Sequence, residues 1–217
     1  RNIVLAAANN NGLALRYASE TLRNDKDIVL ASVSNNGDSF QYASEELRKN
    51  RSFVLVAVNF DDRAFDHASV ELRSDREIAL AAASRNLEAL VMVTNPVLYD
   101  DREFMLAAVA NDGNALHYAS ERLQSDRVLV WTAVSRNGLV LEEAEGEING
   151  DRHVVLTAVR NNGTALRNAS DELRDDRDVV LAAVGNNGTV LRRASDELRK
   201  DRGVILAAVN NNGTELE

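Results

Sequence analysis

Apolar residues in this chain come in a block that recurs. Across residues 151–163 the block is Val154, Val155, Leu156, Ala158 and Val159, with Asp-Arg before it and Asn-Asn-Gly after it. Val155, Leu156 and Val159 fall at i, i+1 and i+4, one face of a helix. Ala158 widens that face and lets a neighbouring helix come close. Asp151 is a good N-cap, since its carboxylate can accept from the free amides of the first turn. Asn162-Gly163 marks the stop, with glycine suited to the left-handed conformation after a last helical turn. The same dipeptide can make a β-hairpin, but the flanks have helical rather than alternating periodicity.

The second half, residues 164–174, carries Ala165, Leu166, Ala169 and Leu173 at i, i+1, i+4 and i+8. That spacing predicts one helix of about ten residues, with Asp171 and Glu172 on its wet face. Ser170 then falls mid-helix, where its hydroxyl weakens or bends the turn. A short helix followed by a 3-10 turn is the other form this half can take.

The block repeats from end to end. A basic residue opens each copy at Arg1, Lys26, Arg51, Arg76, Arg102, Arg127, Arg152, Arg177 and Arg202, in steps of 25 with one step of 26. An Asp or Asn precedes it in every copy after the first. The copies are 1–25, 26–50, 51–75, 76–101, 102–126, 127–151, 152–176 and 177–201, with a partial ninth over 202–217. A fixed period of this size is the mark of a solenoid. The expected fold is therefore all-α: an α-solenoid of eight and a half 25-residue helical-hairpin repeats, the second helix short or partly 3-10. One elongated array spans 1–217. Alone a repeat cannot bury its apolar face, whereas stacked repeats join their Leu, Val and Ala columns into one core. Leu156 and Leu181 are expected in that core.

Three repeats depart from the pattern. Repeat three has Asn59-Phe60-Asp61-Asp62-Arg63 in place of the glycine turn, and His67 where repeats one, two and five have Tyr17, Tyr42 and Tyr118. Repeat four also lacks the glycine, reading Arg85-Asn86-Leu87-Glu88, and holds the extra residue near Pro96 and Tyr99. Pro96 has no amide to donate and disfavours helix at Asn95, so the second helix should break there. Repeat six puts Trp131 in a Leu column and Glu142, Glu143, Glu145 and Glu147 in its second half. Regular repeats present the same residues over and over, so a unique binding position points to the irregular ones. Phe60, Asp61, Arg63, His67, Pro96 and Tyr99 are the candidate partner-binding residues, exposed aromatics being what binding patches use. The acidic half of repeat six is second, and suits a basic partner.

Composition narrows the function. Hydrophobic residues make up 45% of the chain, ordinary for a folded protein. A net charge of −9 argues against a nucleic-acid surface, which needs a basic stripe. The chain has no cysteine, which excludes disulfides, thiolate metal sites and a cysteine nucleophile, and favours an intracellular or organellar compartment. No apolar run approaches the roughly 20 residues of a membrane span, so a membrane-associated complex would be reached through a protein partner. The chain begins inside a repeat and without Met, as a fragment or processed product would.

Catalytic chemistry is not legible. His67, His117 and His153 sit at different repeat positions without metal-ligand spacing. The serine column (Ser19, Ser44, Ser69, Ser120, Ser170, Ser195) has no histidine in register. Paired carboxylates such as Asp61-Asp62 and Asp175-Asp176 fall at turns, as caps do. No phosphate-loop pattern is present, and no cofactor or metal is implied. Asn162, Asn187 and Asn212, each before Gly-Thr, and Asn168 before Ala-Ser match the glycosylation acceptor pattern.

The wording of the repeat, Asp-Arg-x-Val-Val-Leu-x-Ala-Val-x-x-Asn-Gly-x-x-Leu-x-x-Ala-Ser-x-Glu-Leu-Arg, resembles the tandem repeat family known as domain of unknown function 4116. Residues 176–199 carry it most closely, and the copies keep one register along the chain. The resemblance implies an α-helical solenoid used as an interaction array, and brings no catalytic residues. The expected function is a non-catalytic protein-binding or scaffolding solenoid, as a free adaptor or a structural linker in a larger assembly. The alternative is a regulatory or targeting region of an enzyme whose catalytic domain lies elsewhere.

Overall fold

The computed structural model describes residues 1–211; the third Asn-Gly-Thr and the end of the partial ninth repeat lie outside them. The described residues form helices and turns with no strand. The chain divides into two compact units, Arg1–Leu98 and Tyr99–Glu217. Each is a stack of repeats, and the fold is an all-α repeat solenoid.

Every repeat opens with an α-helix of nine or ten residues. In the first unit these are Asn2–Asn10, Lys26–Asn35, Arg51–Phe60 and Arg76–Arg85. In the second they are Arg102–Asn111, Arg127–Arg136, Arg152–Asn161, Arg177–Asn186 and Arg202–Asn211. The expected caps are in place. Asp151 accepts from the amides of His153 (2.9 Å) and Val154 (3.1 Å), and Asp176 from those of Asp178 (2.9 Å) and Val179 (3.1 Å). The same aspartates tie repeats together. Arg152 reaches from the start of its helix to Asp176 at 2.7 Å, and Arg51 to Asp75, Arg102 to Asp126 and Arg1 to Asp25 do likewise at 2.6–2.7 Å. The basic residue that opens a repeat is thus a clamp on the cap of the next.

The core of each long helix uses four positions. In repeat seven they are Val154, Val155, Ala158 and Val159, all fully buried. Leu156 and Leu181 are only half-buried, against expectation, because the buried arc centres on i, i+1, i+4 and i+5 and leaves the next residue at its edge. Phe65 and Phe40 occupy the second-half Leu column and are fully buried.

The second half is not one α-helix. It opens with a six-residue 3-10 helix, such as Gly163–Asn168, and goes on, in repeat seven after the two extended residues Ala169 and Ser170, to a short turn that is α-helical in repeats one, two, five and seven (Asp171–Arg174) and 3-10 in repeats three, four, six and eight (Leu198–Lys200). The second helix is thus short and partly 3-10, and where the last turn is α-helical the order is the reverse of the expected short helix followed by 3-10. The sequence reason is a three-residue period, since a 3-10 helix puts i and i+3 on one face. Gly163, Leu166 and Ala169 are spaced by three and all buried. Ser170 is accordingly not mid-helix. It is the N-cap of the short turn, its hydroxyl accepting from Leu173 N at 3.4 Å, and its amide donates to Asn149 O of the previous repeat at 2.9 Å.

The glycine that ends the long helix also has a different reason from the expected one. Among the described residues only Gly146 has positive φ. Gly163 is required by close approach: a Cβ there would lie 2.4 Å from Ala183 O, a backbone atom of the next long helix. Gly12 and Gly138 meet Ser32 O and Ala158 O at 2.3 and 2.2 Å in the same way. The two asparagines before the glycine divide the remaining work. Asn162 caps the 3-10 helix, accepting from Thr164 N at 3.0 Å. Asn161 reaches back, accepting from Gly138 N at 2.8 Å and donating to Ser135 O at 3.1 Å.

Candidate functional site

The repeat constrains most of its residues. The opening Arg, the capping Asp, the four core positions, Asn-Asn-Gly, the buried Leu and the Ala-Ser cap are each engaged in stacking. What remains is outward-facing and differs from copy to copy. On the 3-10 helices the fifth and sixth residues show this most clearly. In the first compact unit the pairs are Arg16/Tyr17, Gln41/Tyr42, Asp66/His67 and Val91/Met92. In the second they are His117/Tyr118, Glu142/Glu143, Arg167/Asn168 and Arg192/Arg193. The first member of every pair is exposed. Successive 3-10 helices pack side by side within each unit, so these pairs form a stripe on a regular frame.

The irregular repeats keep the frame by substitution. In repeat three Phe60 replaces the asparagine that bonds the previous repeat, and Asp61 does both jobs. Its Oδ1 accepts from Arg63 N at 3.1 Å and its Oδ2 from Gly37 N at 2.9 Å. Burial opposes ionisation of Asp61, but the Arg63 guanidinium at 2.7 Å and these two amides outweigh it and hold the carboxyl below its usual range. Arg63 also reaches Asp38 at 3.2 Å, and His67 Nε2 lies 3.6 Å from the same carboxylate. In repeat four Arg85 stands where the bridging asparagine would, donating to Asn59 O (3.2 Å) and Phe60 O (3.3 Å).

Asp61, Arg63 and His67 therefore fall in one neighbourhood with Asp38, and Phe60, next to Asp61 in the chain, is 51% exposed. Pro96 is not part of it. The 3-10 helix of repeat four stops at Met92, Asn95 caps a new turn by accepting from Val97 N at 3.1 Å, and Pro96 opens that turn (Pro96–Asp100), as the expected break requires. Thr94, beside it, donates to Val70 O and contacts Ser74, next to the capping Asp75 of the helix Arg76–Arg85. Phe60 lies against the opposite end of that helix, about 15 Å away along a ten-residue helix. The two candidate segments do not make one patch. Tyr99 belongs to the second compact unit, half-buried, and burial raises its hydroxyl pKa.

In repeat six the acidic residues are partly committed inside the chain: Glu142 pairs with Arg167, and Glu143 lies 3.3 Å from His117 Nδ1. Trp131 stays on the long-helix surface, 40% exposed, stacked on His153 at 6.0 Å and donating to Thr157 Oγ1 at 3.2 Å. Asn162 and Asn187 of the glycosylation-like patterns serve as 3-10 caps, and Asn168 Nδ2 is buried. Among the described residues no group of three His, Cys, Asp or Glu side chains could hold a metal. No helix there is long and apolar enough to cross a membrane.

A basic cleft was not legible in the sequence. Thr164, Arg167, Thr189, Val190, Arg192 and Arg193 enclose about 130 Å³ between repeats seven and eight. Arg167 and Arg192 are 25 residues apart, so only the repeat register reveals that they stack.

No curated protein and no solved structure matches the chain. A family model described as "Domain of unknown function (DUF4116)" matches five times in tandem, at residues 1–48, 50–95, 101–149, 151–199 and 176–217, and the chain belongs to that family.

Proposed function

We propose that this chain is a non-catalytic protein-binding module that reads its partner with the 3-10 stripe. The observation that supports this is the division of labour within the repeat. Copies keep the residues that stack them and change the exposed residues of the 3-10 helices. Stacked repeats give a long, quasi-regular surface whose specificity comes from such outward positions. The variation is chemical, from Arg16 and Tyr17 through Asp66 and His67 to Arg192 and Arg193. A scaffold or linker role is the same surface used in a larger assembly.

The test is a pair of chains. In one, the outward 3-10 residues of repeats two, three, seven and eight are exchanged among those repeats. In the other, outward long-helix residues such as Asp27, Ser52, His153 and Asp178 are exchanged. Circular dichroism checks the folding of both. The reading expects the first exchange to change what the immobilised chain captures and the second to leave it unchanged. The opposite pattern overturns it.

A further inference from the structure

The cleft between repeats seven and eight is a concentration of positive charge in a chain of net charge −9. Most opening arginines are clamped on a capping aspartate, but Arg192 and Arg193 form no ion pair with a described residue. The other groups can be accounted for. Arg167 is neutralised by Glu142. The Thr189 hydroxyl donates to Asn187 Oδ1 at 2.8 Å, so its proton is engaged. The Thr164 hydroxyl accepts from Asn187 Nδ2 at 3.4 Å and keeps its proton for a ligand. Among the described residues the cleft therefore offers two guanidinium groups without an ion pair and one hydroxyl donor, with Val190 in its lining.

We infer that this cleft binds the phosphoryl group of a phosphorylated protein segment laid along the stripe; the segment part of this rests on the function proposed above. The two guanidinium groups match a phosphate monoester, which carries about −1.5 to −2 at neutral pH and has three strong acceptor oxygens. A carboxylate has one charge and two oxygens and would leave part of the donor set unused. Guanidinium forks suit phosphate through paired N–H donors. About 130 Å³ is too small for a cofactor or a whole metabolite, since small-molecule sites usually run to several hundred Å³. Further affinity has to come from contacts outside the cleft, and the neighbouring 3-10 helices continue the surface on the side of repeats six and seven.

Three probes test this by nuclear magnetic resonance on the full chain: inorganic phosphate, N-acetyl-phosphoserine-amide, and a pool of nine-residue peptides centred on phosphoserine. Phosphoserine-amide is expected to shift the Thr164 amide and the Arg192 and Arg193 Nε–H signals, with millimolar affinity. The pool is expected to bind at least tenfold more tightly than the amide alone. R192Q/R193Q should weaken both by tenfold or more. E142Q, which releases Arg167, should tighten both several-fold, an effect that a merely structural role for these residues would not produce. No shift at these signals, or equal affinity in R192Q/R193Q, overturns the site. A pool that binds no better than phosphate or the amide makes it a small-anion site and overturns the segment. If the site fails while stripe exchange still alters capture, the proposed function stands without it. If phosphate binds while stripe exchange changes nothing, the proposed function fails and the anion site remains.

Discussion

Gly163 offers the sharpest test of how the repeats pack. A Cβ at this position would lie 2.4 Å from Ala183 O and 3.1 Å from Asn187 N, both backbone atoms of repeat eight. Neither can rotate away, so Gly163→Ala has to push the two repeats apart. Overpacking of this kind costs about 1–3 kcal/mol. The separation also stretches the 2.8 Å bond from Gly163 N to Asn186 Oδ1, a further loss of about 0.5–1.5 kcal/mol. The expected destabilisation is about 2–4 kcal/mol. Gly163→Asn separates this account from the usual helix-stop explanation. Asparagine tolerates a left-handed residue, so it would be mild if backbone conformation were the reason for glycine. Under close approach it is as damaging as alanine. Gly185→Ala is the control: nothing lies within 4 Å of its Cβ, and it sits in an α-helix. It should stabilise by about 0.5–1 kcal/mol. Urea titration followed by circular dichroism reads all three, with hydrogen exchange at repeats seven and eight to localise the loss, because repeat arrays need not unfold in two states. A Gly163→Asn chain within about 0.5 kcal/mol of the parent would refute the reasoning.

Phe65 is fully buried in the 3-10 column, and Phe65→Ala should cost about 3–5 kcal/mol by thermal or chemical denaturation. Leu156→Ala, at a half-buried position, should cost only about 1 kcal/mol in the same assay. The clamps make the fold acid-sensitive. Arg1 beside Asp25, Arg102 beside Asp126, Arg127 beside Asp151 and Arg152 beside Asp176 hold those carboxyls below their usual range, each assisted by helix amides. Unfolding then takes up protons at low pH, so stability should be flat above about pH 5 and fall below about pH 4; a melting temperature that does not fall there contradicts the clamp. Replacing the Asp176 cap with alanine should cost about 1–2 kcal/mol, and Asp176→Asn, which keeps the cap and loses the clamp, should cost less and flatten the acid dependence.

The long helices, their caps and the period were legible because each is local. Asp-Arg, the apolar block and Asn-Asn-Gly fall within one stretch of chain. The second half is ambiguous in sequence because Ala165, Leu166, Ala169 and Leu173 also fit an α-helical face. Gly163, Leu166 and Ala169 spell the three-residue period that the backbone follows, and Ser170 before two acids is a cap signature placed after that 3-10 helix rather than inside an α-helix. Burial at the long helix is shifted by one position from the expected face, since Leu156 is larger than Val154 and hydrophobicity alone does not say which edge of the arc faces the core. The reason for glycine was hidden because it lies 20 residues away, in the carbonyl of Ala183. The same holds for Asp61, whose second bond goes to Gly37, and for the Arg167–Arg192–Arg193 cleft. Such features exist only between copies, and they appear once the copies are laid in register.

The proposed function puts recognition on the 3-10 stripe and not on the long-helix surface. Site-specific photo-crosslinking distinguishes the two surfaces. A photoreactive side chain is placed in turn at Gln41, Asp66, His117 and Arg192 on the stripe, and at Asp27, Ser52, His153 and Asp178 on the long helices. Each chain is irradiated with the protein it captures. Crosslinks are expected from the stripe positions and none from the long-helix positions. Crosslinks confined to the long-helix positions would contradict the proposed function.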